Sequence, residues 1–239
     1  MNGYWDGPLP EAQVRTIDDM RQVLADRTCT ANHPLYYMYR HLAKSDDDRR
    51  WLEEQRISYD ITAIPPGTLC GEYVKTKGHL HPDNPAGLGY PEIYEVLQGR
   101  GHYLLQTRDA GDVIMIEASA GDKVLIPPGY GHVTINPGSK VLVMSNLVST
   151  AFASDYQPYV DRNGAAYYEM EGGALVKNPK YPHAAPVRHL PPIEVRELSI
   201  DRTTPLYDLV GRARSVAFLN HPEQFMEIFA ELTNYPVPR

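Results

Sequence analysis

Apolar residues recur at helical spacing among charges over residues 17–25 and again over 35–55, and the three aspartates at 46–48 mark a break or a helix start between two pieces. This pattern predicts an N-terminal helical segment. From Ile57 the texture changes to short stretches rich in Val, Ile, Tyr and Thr, punctuated at Pro65, Gly67, Gly99, Gly111, Gly121, Pro127, Gly129 and Gly138. Such punctuation belongs to a small all-β sandwich or barrel. Within it, Glu92, Tyr94 and Val96 share one face of a strand and Ile93, Glu95 and Leu97 the other, with Glu92 as the inward candidate. Asn163-Gly164 predicts a hairpin turn, and Gly172-Gly173 another break. Prolines 179, 182, 186, 191 and 192 then read as an extended strap, before Phe225, Ile228, Phe229 and Leu232 return to helical spacing. The expected organisation is a helical extension over 1–56 packed on a barrel over 57–181, followed by a Pro-rich strap and a short C-terminal helix over 182–239.

Composition narrows this picture. The chain has 239 residues, enough for one core with extensions, and a net charge of -7 gives no basic face for polyanions. Nucleic acid is not an expected partner, and neither is a membrane, because nothing approaches the length of a span. The start reads as no secretory signal, so the expected compartment is the cytoplasm. Cys29 and Cys70 are the only cysteines and form no CxxC pair. That fits a reducing compartment, and argues against a thiolate metal site or a disulfide scaffold. Any metal must therefore use His and carboxylate.

Two blocks carry such groups. Lys77-Gly78-His79-Leu80-His81 puts two imidazoles on one face of an extended segment, where they can share an ion, and Glu92 follows. The second block, from Gly121 to Asn136, reads as a strand, a Pro-Gly turn and His132 entering the next strand. It matches the second cupin motif, Gly-x5-Pro-x-Gly-x2-His-x3-Asn, at every fixed position. His79-x-His81 followed by Glu92-x6-Gly99 matches most of the first motif, with a longer spacer before Glu92 and with Tyr73 where a glycine is expected. The chain thus resembles the cupins, which implies an all-β jelly-roll barrel with His79, His81, Glu92 and His132 converging on one divalent metal ion inside it. The remaining histidines, 33, 41, 102, 183, 189 and 221, read as ordinary packed or surface residues.

A longer resemblance joins Arg56-Ile57-Ser58-Tyr59-Asp60-Ile61-Thr62, the block from Glu72 to His81, Pro91-Glu92-Ile93-Tyr94 and Asn178-Pro179-Lys180-Tyr181. From about Arg15 to Tyr181 the chain is similar to the cupin-type, or archaeal-type, glucose-6-phosphate isomerases. That likeness implies a homodimeric aldose-ketose isomerase acting on a sugar phosphate, with Fe(II) or Mn(II) ahead of Ni(II) or Zn(II). It places substrate phosphate on Thr62, Thr76, Gly78 and Tyr156. Two mechanisms stay open for that reaction: a cis-enediolate path with Glu92 as proton shuttle, and a hydride shift in which Glu92 is only a ligand and Tyr94 or water moves hydroxyl protons. A phosphate-contacting family tyrosine falls on Val148 and a nearby family histidine on Ser154. The competing readings are another metal cupin enzyme, either a mannose-6-phosphate isomerase or a dioxygenase, and a non-catalytic sugar-phosphate-binding cupin.

Overall fold

The computed structural model describes residues 3–31 and 33–233; Met1, Asn2, Asn32 and 234–239, the last part of the expected C-terminal segment, lie outside the described residues. The chain runs through β1 (Gln13–Thr16), α1 (Ile17–Met20), β2 (Pro34–Tyr39), α2 (Asp46–Glu54) and β3 (Ile57–Ile64) to a small hairpin, β4 (Thr68–Leu69) and β5 (Glu72–Tyr73). It continues through β6 (Glu92–Gln98), β7 (Arg100–Thr107), β8 (Val113–Ser119), β9 (Lys123–Ile126), β10 (Tyr130–Ile135) and β11 (Leu142–Ser149). The last elements are α3 (Gln157–Asp161), β12 (Tyr167–Glu169), β13 (Leu175–Lys177), β14 (Val187–Leu190), α4 (Ala213–Val216) and α5 (Met226–Thr233). A six-stranded sheet in the order β1-β2-β3-β11-β6-β9 faces a four-stranded sheet in the order β10-β7-β8-β14. This is the two-sheet jelly roll of a cupin, as the sequence led us to expect. Among the described residues no helix is long and apolar enough to cross a membrane.

Side chains on a strand alternate between faces, and on β3, β11 and β6 both faces are covered. Ile57, Tyr59, Ile61, Ile93, Val143 and Leu147 point outward into an apolar cluster with Ile193, Val195, Leu198, Ile200, Phe218 and Phe229 of the C-terminal segment. Ser58, Asp60, Thr62, Glu92, Tyr94, Met144 and Asn146 point the other way, towards a cavity. Each fully buried aliphatic or aromatic side chain of the outer cluster contributes about 1.5–3 kcal/mol relative to exposure, so the C-terminal segment docks on the barrel itself. The docking is also polar: Glu95 receives Lys123 Nζ on Oε1 at 3.1 Å and the amide of Leu206 on Oε2 at 2.6 Å.

Several local expectations need correction. Residues 35–39 are not helical, because Leu35, Tyr36 and Met38 are buried in β2, which pairs with β3. The aromatic β-formers there gain more from a place between β1 and β3 than from a helix with weak periodicity. The N-terminal helical character reduces to α1, a 3-10 turn over Arg21–Val23, and α2, whose Ser45 cap accepts the Asp48 amide at 3.1 Å. Asn163-Gly164 terminates α3, with φ of 59° and 119°, and the hairpin turn lies instead at Gly172-Gly173 between β12 and β13. Part of the strap is itself a strand, since β14 pairs in parallel with β8. Leu232 lies in α5, with its side chain outside the described residues.

The cysteine expectation also fails: Cys29 and Cys70 form a disulfide with Cα atoms 5.8 Å apart. Spacing along the chain could not show this, because the two come together only when the β4–β5 hairpin folds against the segment after α1. The Ala25 amide donates to Glu72 Oε2 at 2.8 Å in the same contact, and Glu72 holds the buried Lys75 ammonium. The bond closes a loop with a sequence separation of 41. We expect Cys29→Ser to lower the unfolding free energy by about 2–4 kcal/mol in urea titration; an unchanged value would mean that the bond does not form in solution.

Candidate metal centre

His132 enters β10 just after the turn at Pro127-Pro128-Gly129, where Gly129 takes φ of 81°. The segment carrying His79 is not a long strand. It is held against β10 by hydrogen bonds that include His79 N to His132 O at 3.3 Å, His132 N to His79 O at 3.1 Å and Thr76 N to Thr134 O at 2.8 Å. Two glycines permit this approach. A Cβ on Gly131 would lie 2.7 Å from His79 O, and one on Gly78, at φ of 71°, would lie 2.5 Å from Val133 Cγ1. Glu92 arrives from the facing sheet at the start of β6, on the inward face that alternation assigns to it.

The four side chains converge. Each of His79, His81, Glu92 and His132 offers a ligand atom within 4.8 Å of those of the other three. His79 Nε2 and His81 Nε2 are 3.1 Å apart, and Glu92 Oε2 lies 3.4 Å from His81 Nε2 and 3.5 Å from His132 Nε2. His81 donates Nδ1–H to the Tyr90 carbonyl at 2.7 Å, which leaves its Nε2 lone pair facing the group. Glu92 Oε1 accepts from Asn146 Nδ2 at 2.7 Å, whereas the buried Oε2 has no hydrogen-bond partner. An orphaned buried carboxylate oxygen surrounded by imidazole nitrogens fits a divalent cation.

Burial sets the protonation. Desolvation pushes His81 down to about 4 and holds His79 and His132 well below the ordinary histidine value, so all three are neutral ligands. Desolvation also lifts Glu92 to about 8, against the hydrogen bonds and the Arg40 charge that favour its ionised form. The Tyr94 hydroxyl, 3.0 Å from His132 Nε2, is pushed well above the usual phenol range by burial and by Glu92.

These groups sit in a cavity of about 380 Å³ that Thr62, Thr76 and Tyr156 also line. Tyr156 packs beside His79, with ring centroids 5.3 Å apart, and Thr76 Oγ1 accepts the Thr134 amide at 2.9 Å. Val148 and Ser154 line the same cavity, whereas Gly78 lies behind the lining, packed against Val133 and Tyr159. Charged residues that sequence reasoning passed over also appear. Lys77 lines the cavity with Nζ 5.8 Å from the Tyr156 ring centroid, and Arg15 of β1 places its guanidinium carbon 5.9 Å from the same ring. Arg15 Nε is buried without a hydrogen-bond partner. The Lys77 amide donates to the Tyr36 hydroxyl at 3.2 Å.

On the cavity floor, Asp60 is bonded by Arg40 at 2.6 Å and by Ser58 Oγ at 2.6 Å, while Ser58 Oγ also meets His41 Nδ1 at 3.0 Å. His41 is therefore part of the cavity wall, not a plain surface histidine. His102 is likewise engaged, its Nδ1 lying 2.9 Å from Glu169 Oε1 in a buried pair away from the cavity. His33, His183, His189 and His221 are exposed. For Arg15, Lys77 and His41 the only sequence signal is a position beside a matched block or at a strand end.

Comparison with known proteins gives a consistent result. A family model described as glucose-6-phosphate isomerase matches residues 14–185. The glucose-6-phosphate isomerase of Thermococcus litoralis is 31% identical over 175 residues, covering 70% of this chain and 86% of that protein. That of Thermococcus gammatolerans is 29% identical over 184 residues, covering 73% and 91%. Among solved structures, oxalate decarboxylase from Bacillus subtilis matches with a TM-score of 0.38 and 19% identity, over 50% of this chain and 27% of that one.

The raised Glu92 carboxyl and the neutral imidazoles give a signed expectation for metal loading. At pH 7 a Glu92 with its pKa near 8 is mostly protonated, and ligation requires the carboxylate. Binding of Mn(II) at pH 7 should release about one proton per chain, read by calorimetry in two buffers of different ionisation enthalpy. Release should fade above pH 8, and none at pH 7 would remove Glu92 from the ligand set.

Proposed function

The chain belongs to the glucose-6-phosphate isomerase family, and from that premise we propose that it interconverts glucose 6-phosphate and fructose 6-phosphate in the 380 Å³ cavity, on one divalent ion held by His79, His81, Glu92 and His132. The observation that carries this reading is the convergence of three neutral imidazoles and one carboxylate in a cavity that Lys77 and Tyr156 also line, with Arg15 beside the Tyr156 ring. Fe(II) or Mn(II) suits this donor set, as do Ni(II) and Zn(II).

The ion would supply Lewis acidity to the oxygens on C1 and C2 of the open-chain sugar. The remaining work falls to the chain. Isomerisation moves a hydrogen between C1 and C2, as a proton through a cis-enediolate or as a hydride, with a hydroxyl proton passing between O1 and O2. On the first path Glu92, with Oε1 held by Asn146, would take the carbon proton and return it; on the second Glu92 is a ligand only. Tyr94, which keeps its proton through its raised pKa, donates a hydrogen bond where oxygen charge develops. Beside the ligand cluster, the Thr62 and Thr76 hydroxyls and Tyr156 would bind the phosphate, and the Gly78 amide, behind the lining, is left out of the set. Lys77 and Arg15 supply the positive charge that a chain with a net charge of -7 otherwise lacks.

A homodimer is part of the proposal, supported by β1, an edge strand of the large sheet with Val14 exposed. Cytoplasmic placement rests on the substrate class alone, since the cysteine argument falls with the disulfide.

The first test supplies fructose 6-phosphate to purified protein and follows glucose 6-phosphate through a coupled dehydrogenase, before and after chelation and after return of single ions. Loss and return of turnover are expected; a folded, metal-loaded protein with no turnover discards the isomerase. Glu92→Gln should cut kcat by about 10²-fold or more while weakening inorganic phosphate binding little. Lys77→Gln should raise KM for fructose 6-phosphate by about tenfold with kcat nearly kept, the loss of one charge-assisted contact. An unchanged KM would put the phosphate elsewhere.

A further inference from the structure

The segment beyond residue 185 lies outside the family match, yet it makes polar contacts with two loops that themselves touch the ligand His81. Asn220 Oδ1 accepts a hydrogen bond from Ser149 Oγ at 2.5 Å, while its amide nitrogen donates to the Gln55 carbonyl at 2.8 Å. Ser149 Oγ in turn accepts the Ala151 amide at 3.1 Å, and the Thr150 amide bonds Arg56 O at 2.8 Å. These bonds set the turn that leaves β11 and presents Phe152. The Phe152 ring packs 4.6 Å from the His81 ring and 4.9 Å from the Tyr90 ring, stacked on the latter.

The second contact is Asn84 Nδ2 donating to Glu223 Oε2 at 3.0 Å. Asn84 organises the long spacer between His81 and Glu92: its Oδ1 accepts the amides of Ala86 and Leu88 at 2.9 and 3.1 Å, and its own amide bonds Leu88 O at 2.7 Å. The spacer ends at Tyr90, whose amide bonds Pro82 O at 3.2 Å and whose carbonyl accepts His81 Nδ1. Both loops therefore converge on His81, one through the Tyr90 carbonyl and one through the Phe152 ring. Between the loops and the extension lies a cavity of about 420 Å³ lined by Arg56, Asn84, Tyr90, Ala151, Asn220 and Glu223. Continuous packing does not back the loops there, so the hydrogen bonds from Asn220 and Glu223 bridge the gap.

We propose that Asn220 and Glu223 are positioning residues of this chain, by which the C-terminal extension orients the His81 imidazole from behind through the 82–90 and 149–152 loops. The inference rests on the reading of the cavity as a metal centre and needs no particular substrate. An imidazole that can rotate loses its aim, and an outer partner of a metal-ligating histidine is commonly worth about tenfold or more in metal affinity. The extension thus does more than cover the sheet.

The test compares full-length Asn220→Ala, Glu223→Ala and Glu223→Gln with the parent chain, using hydrogen exchange of the metal-free protein and the Mn(II) dissociation constant by electron paramagnetic resonance. Asn220→Ala should speed exchange at Ala151, and Glu223→Ala at Ala86 and Leu88. Each should weaken Mn(II) by about tenfold with an unfolding midpoint close to the parent. Glu223→Gln keeps an acceptor for Asn84 and should restore parental Mn(II) affinity, which a loss of charge alone would not predict. Should Asn220→Ala fail to fold, the Glu223 pair carries the comparison. Parental exchange and parental Mn(II) affinity in folded Glu223→Ala overturn the proposal. Absence of isomerase turnover in the parent, with these Mn(II) differences intact, sinks the substrate reading and leaves the positioning role standing.

Discussion

Strands β3, β11 and β6 are buried on both faces, and everything the cavity can do depends on that double cover. A sheet with one wet face could let its polar side chains find water. Here Ser58, Asp60, Thr62, Glu92, Tyr94 and Asn146 share an enclosed space because the opposite residues of the same strands are held in an apolar layer by the C-terminal segment. A slip of one residue in register would exchange the two sets, putting carboxylates into the apolar layer. Each face therefore specifies the register of the other.

The enclosed face has an electrostatic consequence. Three imidazoles, a carboxyl and a phenol are taken out of water together, and burial drives each towards its neutral form. The result is a set of lone pairs without a compensating charge, with one carboxylate oxygen left unbonded. A divalent cation offsets this desolvation in one step. Beside the cluster, Lys77 and Arg15 flank the Tyr156 ring, and no salt bridge shorter than the 3.9 Å Arg15–Asp19 pair involves either among the described residues. The neutral ligand cluster thus has two cationic side chains close to it, within a chain whose overall charge is negative.

How much of this was legible depended on whether the information was local. The four candidate ligands stand in two blocks whose spacing reports backbone geometry: a same-face pair at 79 and 81, an alternating strand at 92, a Pro-Gly turn before 132. The β-rich punctuation likewise marked the jelly roll. What escaped notice was long-range. The β2 run Leu35-Tyr36-Tyr37-Met38-Tyr39 is a strand because β3 lies beside it, and a weak helical period cannot show that. Cys29 and Cys70 gave no spacing signal, Asn163-Gly164 ends a helix of five residues too short to announce itself, and His41 matters only because Ser58 and Asp60 are brought to it. Arg15 was hidden in the segment read as helical extension.

The bond between Cys29 and Cys70 encloses β2, α2 and β3 in a covalent ring. A peptide bond cut anywhere between those two cysteines leaves both fragments tethered, so Arg40, just after β2, and β3 with Ser58, Asp60 and Thr62 stay in one connected piece after a nick. The loop between His81 and Glu92 lies outside the ring. Connectivity is accordingly asymmetric: a cut within the ring leaves one covalent molecule, and a cut between His81 and Glu92 leaves two.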